Sequence, residues 1–149
     1  MSEIHHFKNF SIVKGNVKID VSLDRFSEQF QRAQKKLDSA VMTSMVPYMP
    51  FRNGTLIQNT KARSKAWEGT GKVCAAAPPY GRYQYMGKVR VDPVTNSPWA
   101  REGAKKVLTN RPLRYSRASA TPEWFETAKR VDGEKWVDMV KKEAGGGKK

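Results

Sequence analysis

One long apolar stripe constrains this chain more than any other feature. Apolar side chains recur at steps of three and four residues from Leu23 to Met45, as on one face of an α-helix. The pattern predicts a helix over residues 23–45, with Ser22 as its N-cap. Pro47 and Pro50 lack backbone donors and therefore end the helix. A helix with a single apolar face must bury it against other elements, so the stripe also predicts a core.

Alternating apolar and polar side chains predict strands on both sides of this helix. The expected strands cover residues Val17–Val21, 56–66, 72–77 and 88–91, and the glycines between the second and third favour a hairpin. In segment 56–66, alternation places Lys61, Arg63 and Lys65 together on one face. The predicted fold class is α+β: a long amphipathic helix and a C-terminal aromatic helix pack on a small, mostly antiparallel sheet.

The C-terminal helix has start signals of its own. Thr121 is its predicted cap, Pro122 its first residue and Glu123 an acid in its first turn. Asp132 and Gly133 predict a break into two short helices. The predicted organisation is an N-terminal arm over 1–15, one α+β domain over 16–143 with a long basic loop at 92–120, and a disordered tail at 144–149.

Positive charge is concentrated in the middle of the chain. The sequence contains 28 Lys and Arg against 14 Asp and Glu, a net charge of +14. Residues 61–120 hold 13 of the basic and three of the acidic residues. A basic segment of this kind meets nucleic acid, an acidic protein surface or solvent. The composition leaves these three partners open.

Tyrosines are crowded into the same basic segment. Tyr80, Arg82, Tyr83 and Tyr85 stand between two prolines and a glycine. Tyrosine is rigid and amphipathic, which suits a platform or a wedge at an interface. The alternative is that Tyr80 and Tyr83 pack on the first long helix of their own chain. Both arrangements can hold together, with one tyrosine inward and another outward.

The long loop at 92–120 contains a further aromatic candidate for an interface, Trp99. We expect the loop to be mobile in the free chain and to become ordered on a partner, with Trp99 as the anchor. Aromatic residues among cations also resemble the stacking surfaces of proteins that bind nucleic acid. The sequence has neither a recognition helix rich in base-reading residues nor the RNA-binding sheet signature, so this resemblance is one of composition.

Residue types needed for catalysis or metal binding are sparse. The chain has no Gly-rich phosphate loop and no Cys/His cluster, and the adjacent His5 and His6 cannot form a metal site alone. Cys74, the single cysteine, reads as a small buried residue. We predict no catalytic, cofactor-binding or metal-binding residues and no enzyme activity. Without a long apolar run or a signal-peptide pattern, we expect synthesis in the cytosol and no membrane partner.

Three sequence blocks, in this order, resemble the minor capsid protein family of tailed phages and prophages of Gram-positive bacteria. The blocks read AQKKLDSAVMTSMVPYMPFRNGTL, APPYGRYQYMGK and TPEWFETAKRVDGEKWVDMVKK. The matching positions are Pro47, Tyr48, Pro50, Phe51, Gly54 and Leu56; Pro79, Tyr80, Tyr83, Gln84, Tyr85 and Gly87; and Trp124, Phe125, Ala128 and Lys129. Two positions depart from the family pattern: Gly81 replaces the usual alanine and Met86 the usual third aromatic residue.

This resemblance implies a non-enzymatic structural subunit similar to tail-completion proteins, which form a six-fold ring at the head–tail junction. The implied partners are other copies of the chain, the head-closure and tail-terminator rings, and genomic DNA in passing. The implied location is the virion, after synthesis in the host cytoplasm. The alternative function is a basic protein that binds nucleic acid. In the ring, Lys61, Arg63 and Lys65 are expected to face an acidic neighbour and not the DNA channel.

Overall fold

The computed structural model describes residues 8–145, so His5, His6 and the last four residues lie outside the described part. The elements are β1 (Phe10–Lys14), β2 (Val17–Val21), α1 (Asp24–Met45), α2 (Thr55–Ser64), α3 (Gly81–Met86), β3 (Lys88–Val91), β4 (Val107–Pro112) and α4 (Trp124–Glu143). The predicted α+β class is confirmed. Its antiparallel strands form two separate ribbons, β1–β2 and β3–β4.

Helices α1 and α4 form most of the core. The stripe on α1 contributes Val41 and Met45, while α4 contributes Trp124 and Trp136. Full burial of side chains of this size contributes about 1.5–3 kcal/mol each relative to exposure. The buried indole of Trp124 also donates from Nε1 to the carbonyl oxygen of Ala75 at 2.7 Å, so its polar atom is satisfied.

The two helices run antiparallel. Trp136 Nε1 donates to Ser44 Oγ at 3.3 Å near the C-terminal end of α1. Glu143, the last residue of α4, forms an ion pair with Lys36, two turns earlier in α1. The start of α4 therefore lies beyond the C-terminal end of α1. The first turns of α1 extend past the end of α4, and Phe26 there is 51% exposed.

Segment 56–66 is helical, and the predicted strand there is wrong. In α2 the buried side chains are Ile57, Thr60 and Ser64, at helical spacing. Two of these three are polar, so the buried face has no apolar periodicity to reveal it. Polar residues can be buried at these positions because their hydroxyl groups are hydrogen-bonded.

The predicted return strand at 72–77 is also wrong, because side chains satisfy this segment's backbone. Ser64 Oγ accepts from the amide of Cys74 at 3.1 Å and donates to the carbonyl of Thr60 at 2.6 Å. Thr60 Oγ1 accepts from the amide of Ala77 at 3.2 Å. Immediately before the segment, the amide of Gly71 donates to the buried carboxylate of Asp38 at 2.8 Å. These bonds replace a strand ladder, so the segment is irregular, with bends at residues 75 and 76, and pairs with no strand among the described residues.

Three predicted helix boundaries need correction. Helix α1 begins at Asp24, and Ser22 Oγ donates to the Asp24 carboxylate instead of capping. Helix α4 begins at Trp124, and Thr121 Oγ1 pairs with the hydroxyl of Thr127. Helix α4 is continuous through Gly133, since its packing on α1 extends on both sides of that residue.

The three blocks that carry the family resemblance meet where α1 ends and α4 begins. The amide of Thr121 donates to the carbonyl of Tyr48 at 3.0 Å, and the amide of Glu123 donates to the carbonyl of Tyr85 at 2.8 Å. Arg117 Nη1 donates to the carbonyl of Val46 at 2.8 Å. Residues far apart in the chain thus form one backbone-bonded junction.

Candidate interaction surfaces

The three crowded tyrosines take different positions on and beside the short helix α3. Tyr85 faces inward: its ring meets that of Trp124 edge-on, with centroids 4.8 Å apart. Burial raises the pKa of the Tyr85 phenol, with Glu126 and Glu123 adding to the effect. Tyr80 is 74% and Tyr83 43% exposed. The tyrosine segment therefore has one side chain packed against the core, where its ring meets Trp124 of α4, and two on the surface.

The exposed side of α3 is a mixed aromatic and cationic surface. Tyr80, Tyr83 and Met86 are its exposed large side chains, and Arg82 is exposed among them. The guanidinium of Arg90 lies over the ring of Tyr83, 4.6 Å from its centroid, as in a cation–π contact. We call Tyr80, Tyr83 and Met86 the tyrosine platform.

Asp92 organises the loop that follows β3. Its side chain is fully buried, and Oδ1 accepts from the amide of Val94 at 2.8 Å. Oδ2 accepts from the amide of Arg101 at 3.1 Å and from its Nε at 2.9 Å. The Arg101 side chain and then these amides hold the pKa of the Asp92 carboxyl well below its usual range. A buried carboxylate with this many donors is a firm local anchor.

The anchor displays Trp99 on the surface. Trp99 is 85% exposed and lies between the two ends of the loop that Asp92 and Arg101 join. Arg111 Nη2 donates to the carbonyl of Asn96 at 3.3 Å, which ties the loop to β4. These bonds argue against the mobility that we expected for residues 92–101. The predicted loop at 92–120 is also interrupted by β4, which pairs with β3.

Residues 88–114, comprising β3, the Asp92 loop and β4, form a basic projection that we call the ribbon module. It holds seven Lys or Arg and two Asp or Glu, a net charge of +5. One of the two acids is Asp92, whose charge is paired with Arg101. The other, Glu102, is exposed. The exposed basic side chains besides Arg101 are Lys88, Lys105, Lys106, Arg111 and Arg114.

The predicted row of cations on segment 56–66 does not exist as a strand face. Lys61 and Arg63 are exposed near the end of α2, where a separation of two residues turns side chains to nearly opposite directions. Lys65 follows the helix in a left-handed conformation with φ 46° and pairs with Glu68 at 3.4 Å. The structure therefore does not bring these three cations together.

The N-terminal hairpin, residues 10–21, was not foreseen as a hairpin. Strand Val17–Val21 was predicted correctly, but residues 10–14, assigned to the arm, pair with it. Pairing places Phe10, Ile12, Val17, Ile19 and Val21 on one face. The first four of these are each about half exposed or more. The missed signal is the alternation of Phe10 and Ile12 before the two-residue turn at 15–16.

The hairpin is tied to the body at its base. Asn9 Oδ1 accepts from the amide of Leu23 at 2.6 Å, and its Nδ2 donates to both carboxylate oxygens of Asp24 at 3.2 Å. The ten strand residues are exposed except for Val21, which is half-buried. An isolated two-stranded hairpin is marginally stable in water. The notable property of this hairpin is that its apolar face is not covered by the rest of the described chain.

Within residues 8–145, no group of three or more His, Cys, Asp or Glu side chains is placed to hold a metal ion. Across the same residues, no helix combines the length and apolar character needed to cross a membrane. Cys74 is half-buried with a free thiol. No protein-family model, curated protein or solved structure matches this chain.

Proposed function

We propose that this chain is a non-enzymatic structural subunit of a tailed-phage virion and forms a ring at the head–tail junction. Its partners are neighbouring copies of itself, in a ring of six, and the adjoining head-closure and tail-terminator rings. The observation that carries the proposal is a pair of different apolar surfaces at opposite ends of α1. The family resemblance supplies the place of the ring in the virion.

The two surfaces are the apolar face of the N-terminal hairpin and the tyrosine platform. The hairpin adjoins the first residue of α1, Asp24. The platform lies at the other end, because Tyr85 packs on Trp124, the first residue of α4. Helix α1 has 22 residues and is therefore about 33 Å long. Two unlike surfaces separated in this way suit head-to-tail contacts, which close into rings when the rotation between copies allows.

The apolar side chains on these surfaces are of the kind that associate. Ile12 and Ile19 face each other across the hairpin and are 51% and 54% exposed. Tyr80 is 74% exposed, and tyrosine is enriched at protein interfaces. Exposure of these side chains to water costs about 25 cal/mol of free energy for each Å² of apolar surface. Covering them in an assembly would stabilise it.

The junction of the three resembling blocks gives the proposal further support. Matching residues of the first and second blocks, Tyr48 and Tyr85, each accept a backbone hydrogen bond from the segment that starts α4. Gly87 of the second block lies against Pro122 of the third. Residues that form one structural unit are a coherent basis for a family resemblance, whereas scattered surface matches would not be.

The test of ring formation uses the purified full-length chain. Native mass spectrometry and negative-stain images should show a six-fold ring. The double variant Ile12→Ser/Ile19→Ser should abolish it, because it removes the apolar face of the hairpin. Val13→Ser is the matched control, since Val13 is 68% exposed but lies on the opposite face. A monomer at all concentrations, or equal assembly of both variants, would refute this interface.

The test of location uses particles from a prophage that encodes this chain. The protein should remain with purified virions at six or twelve copies, as ring symmetry allows. Deletion should leave filled heads and separate tails. Absence from the particles, or joined particles in the deletion strain, would overturn the proposal even if the isolated protein forms rings.

A further inference from the structure

The ribbon module carries more exposed positive charge than its own acidic side chains can neutralise. Lys105 and Lys106 are exposed just before β4, and Arg111 is exposed within it. No salt bridge is found for these three side chains among the described residues. The exposed acidic side chain of the module is Glu102. Unpaired cations at this density attract a polyanion.

Trp99 adds a flat aromatic surface to this charge. Among the large hydrophobic side chains of the described residues it has the largest exposed fraction, 85%. The hydrogen bonds that Asp92 accepts from Val94 and Arg101 fix the backbone on both sides of it. Arg101 is engaged by Asp92, and Arg111 uses Nη2 on the carbonyl of Asn96. Lys105, Lys106 and the other donors of the Arg111 guanidinium remain to contact a ligand. A loop whose backbone is already fixed loses less conformational entropy when the side chain it carries binds a ligand.

We infer that the ribbon module binds single-stranded nucleic acid, with Lys105, Lys106 and Arg111 contacting phosphates and the indole of Trp99 stacking on a base. Cations that follow the backbone and an aromatic ring that stacks on bases are the shared features of such sites. The inference does not depend on the proposed ring, because neither the hairpin nor the tyrosine platform takes part in it.

Charge and composition favour nucleic acid over an acidic protein at this surface. Protein interfaces are depleted in lysine, yet Lys88, Lys105 and Lys106 are all exposed here. The chain has a pI near 10.1, within the range typical of nucleic-acid-binding domains.

The experiment measures binding of the full-length chain to a fluorescein-labelled 20-nucleotide oligo(dT). Affinity should fall with salt, because each phosphate contact releases counterions. With a slope of about 0.7 per contact, each contact contributes about fivefold at 0.1 M salt. Lys105→Gln/Lys106→Gln should therefore weaken binding about 25-fold and reduce the salt slope by about 1.4.

The matched control is Lys141→Gln/Lys142→Gln. These adjacent lysines are exposed at the end of α4 and the change in net charge is the same. Equal weakening by both double variants would show a general charge effect and overturn the assigned site.

The stacking step has its own variants. Trp99→Ala should weaken oligo(dT) binding about 5- to 150-fold, while Trp99→Phe should retain most of it, since both rings stack. The melting temperature should not change, because Trp99 is on the surface. A 20-base-pair duplex should bind less tightly than oligo(dT) and should not respond to Trp99→Ala.

Two outcomes would overturn the inference. If polyglutamate with the same number of charges competes as well as oligo(dT), the surface recognises acidic chains in general. If Trp99→Ala leaves oligo(dT) binding unchanged, Trp99 does not stack on a base. Ring formation by the same variants should be normal, so failure here is distinguishable from failure of the proposed function.

Discussion

Pro122 occupies the space that a side chain at Gly87 would need. A β-carbon placed on Gly87 would lie 2.4 Å from Cβ of Pro122, and the backbone there has φ +65°. Contact at this distance between two rigid groups requires the backbone to move. The close approach joins the end of α3 to the start of α4, where the chain's blocks converge.

Gly87→Ala is accordingly expected to destabilise the protein. Overpacking costs about 1–3 kcal/mol, in addition to about 1–2 kcal/mol for the left-handed backbone. Gly103→Ala is the control: its φ is +73° with nothing within 4 Å, so it incurs only the backbone cost of about 1–2 kcal/mol. Urea denaturation of both variants measures the difference. Equal losses would show that the junction relaxes around the added methyl group.

Asp92→Asn should release the loop that carries Trp99. An asparagine cannot form the ion pair with Arg101 and presents one acceptor oxygen where the carboxylate has two. Hydrogen exchange should become faster at the amides of Val94 and Arg101, because both donate a hydrogen bond to the Asp92 carboxylate in the wild type. Glu102→Gln removes the same charge from an exposed neighbour and should leave exchange unchanged. Unaltered protection in Asp92→Asn would mean that β4 pairing alone orders the loop.

The same carboxyl predicts a pH dependence. The pKa of Asp92 is held well below its usual range, chiefly by the Arg101 side chain, whereas in the unfolded chain it is about 3.9. The folded-state pKa is the lower one, so the stabilisation is present above about pH 4 and is lost as the pH falls toward the folded value. The difference in free energy of unfolding between wild type and Asp92→Asn should be constant from pH 7 to 5 and narrow below about pH 4. An equal difference at pH 2.5 and pH 7 would contradict the assignment.

Ser64→Ala should loosen the irregular segment that contains Cys74. The substitution leaves the partly buried amide of Cys74 without its acceptor, which costs about 1 kcal/mol, the low end of the range for an unsatisfied amide. Cys74 is the one cysteine of the chain, so its rate of reaction with a thiol reagent reports on this segment alone, and it should rise. Ser39→Ala, an exposed serine of α1, should change neither stability nor rate. An unchanged thiol rate in Ser64→Ala would show that Asp38 and Thr60 suffice to hold the segment.

The helices that the sequence predicted are those whose buried faces are apolar. The stripe of α1 and the aromatic start of α4 could be recognised because Met45 and Trp124 occur at helical spacing. Helix α2 was missed since Thr60 and Ser64 are polar and yet buried. Strand β4 was missed because Arg90 pairs with Leu108 across a long loop and a bulge, for which no short-range signal exists.

The candidate surfaces were predicted in part. The composition singled out Tyr80, Tyr83 and Trp99, and all three are exposed. It could not separate Tyr85 from its neighbours, because the inward position of Tyr85 depends on Trp124, far along the chain. The role of Asp92 had a local signal, since an aspartate at the end of a strand often accepts from the amides two and three residues ahead.

The antiparallel pairing of α1 with α4 also has a consequence for synthesis on the ribosome. Helix α1 ends at Met45 and α4 begins at Trp124, so about 80 residues must emerge before the apolar stripe of α1 meets its partner. At about 5–20 residues per second, that interval lasts about 4–16 s. During it the nascent chain exposes Val41, Met42 and Met45, which makes α1 the segment most in need of a chaperone while the protein is being made.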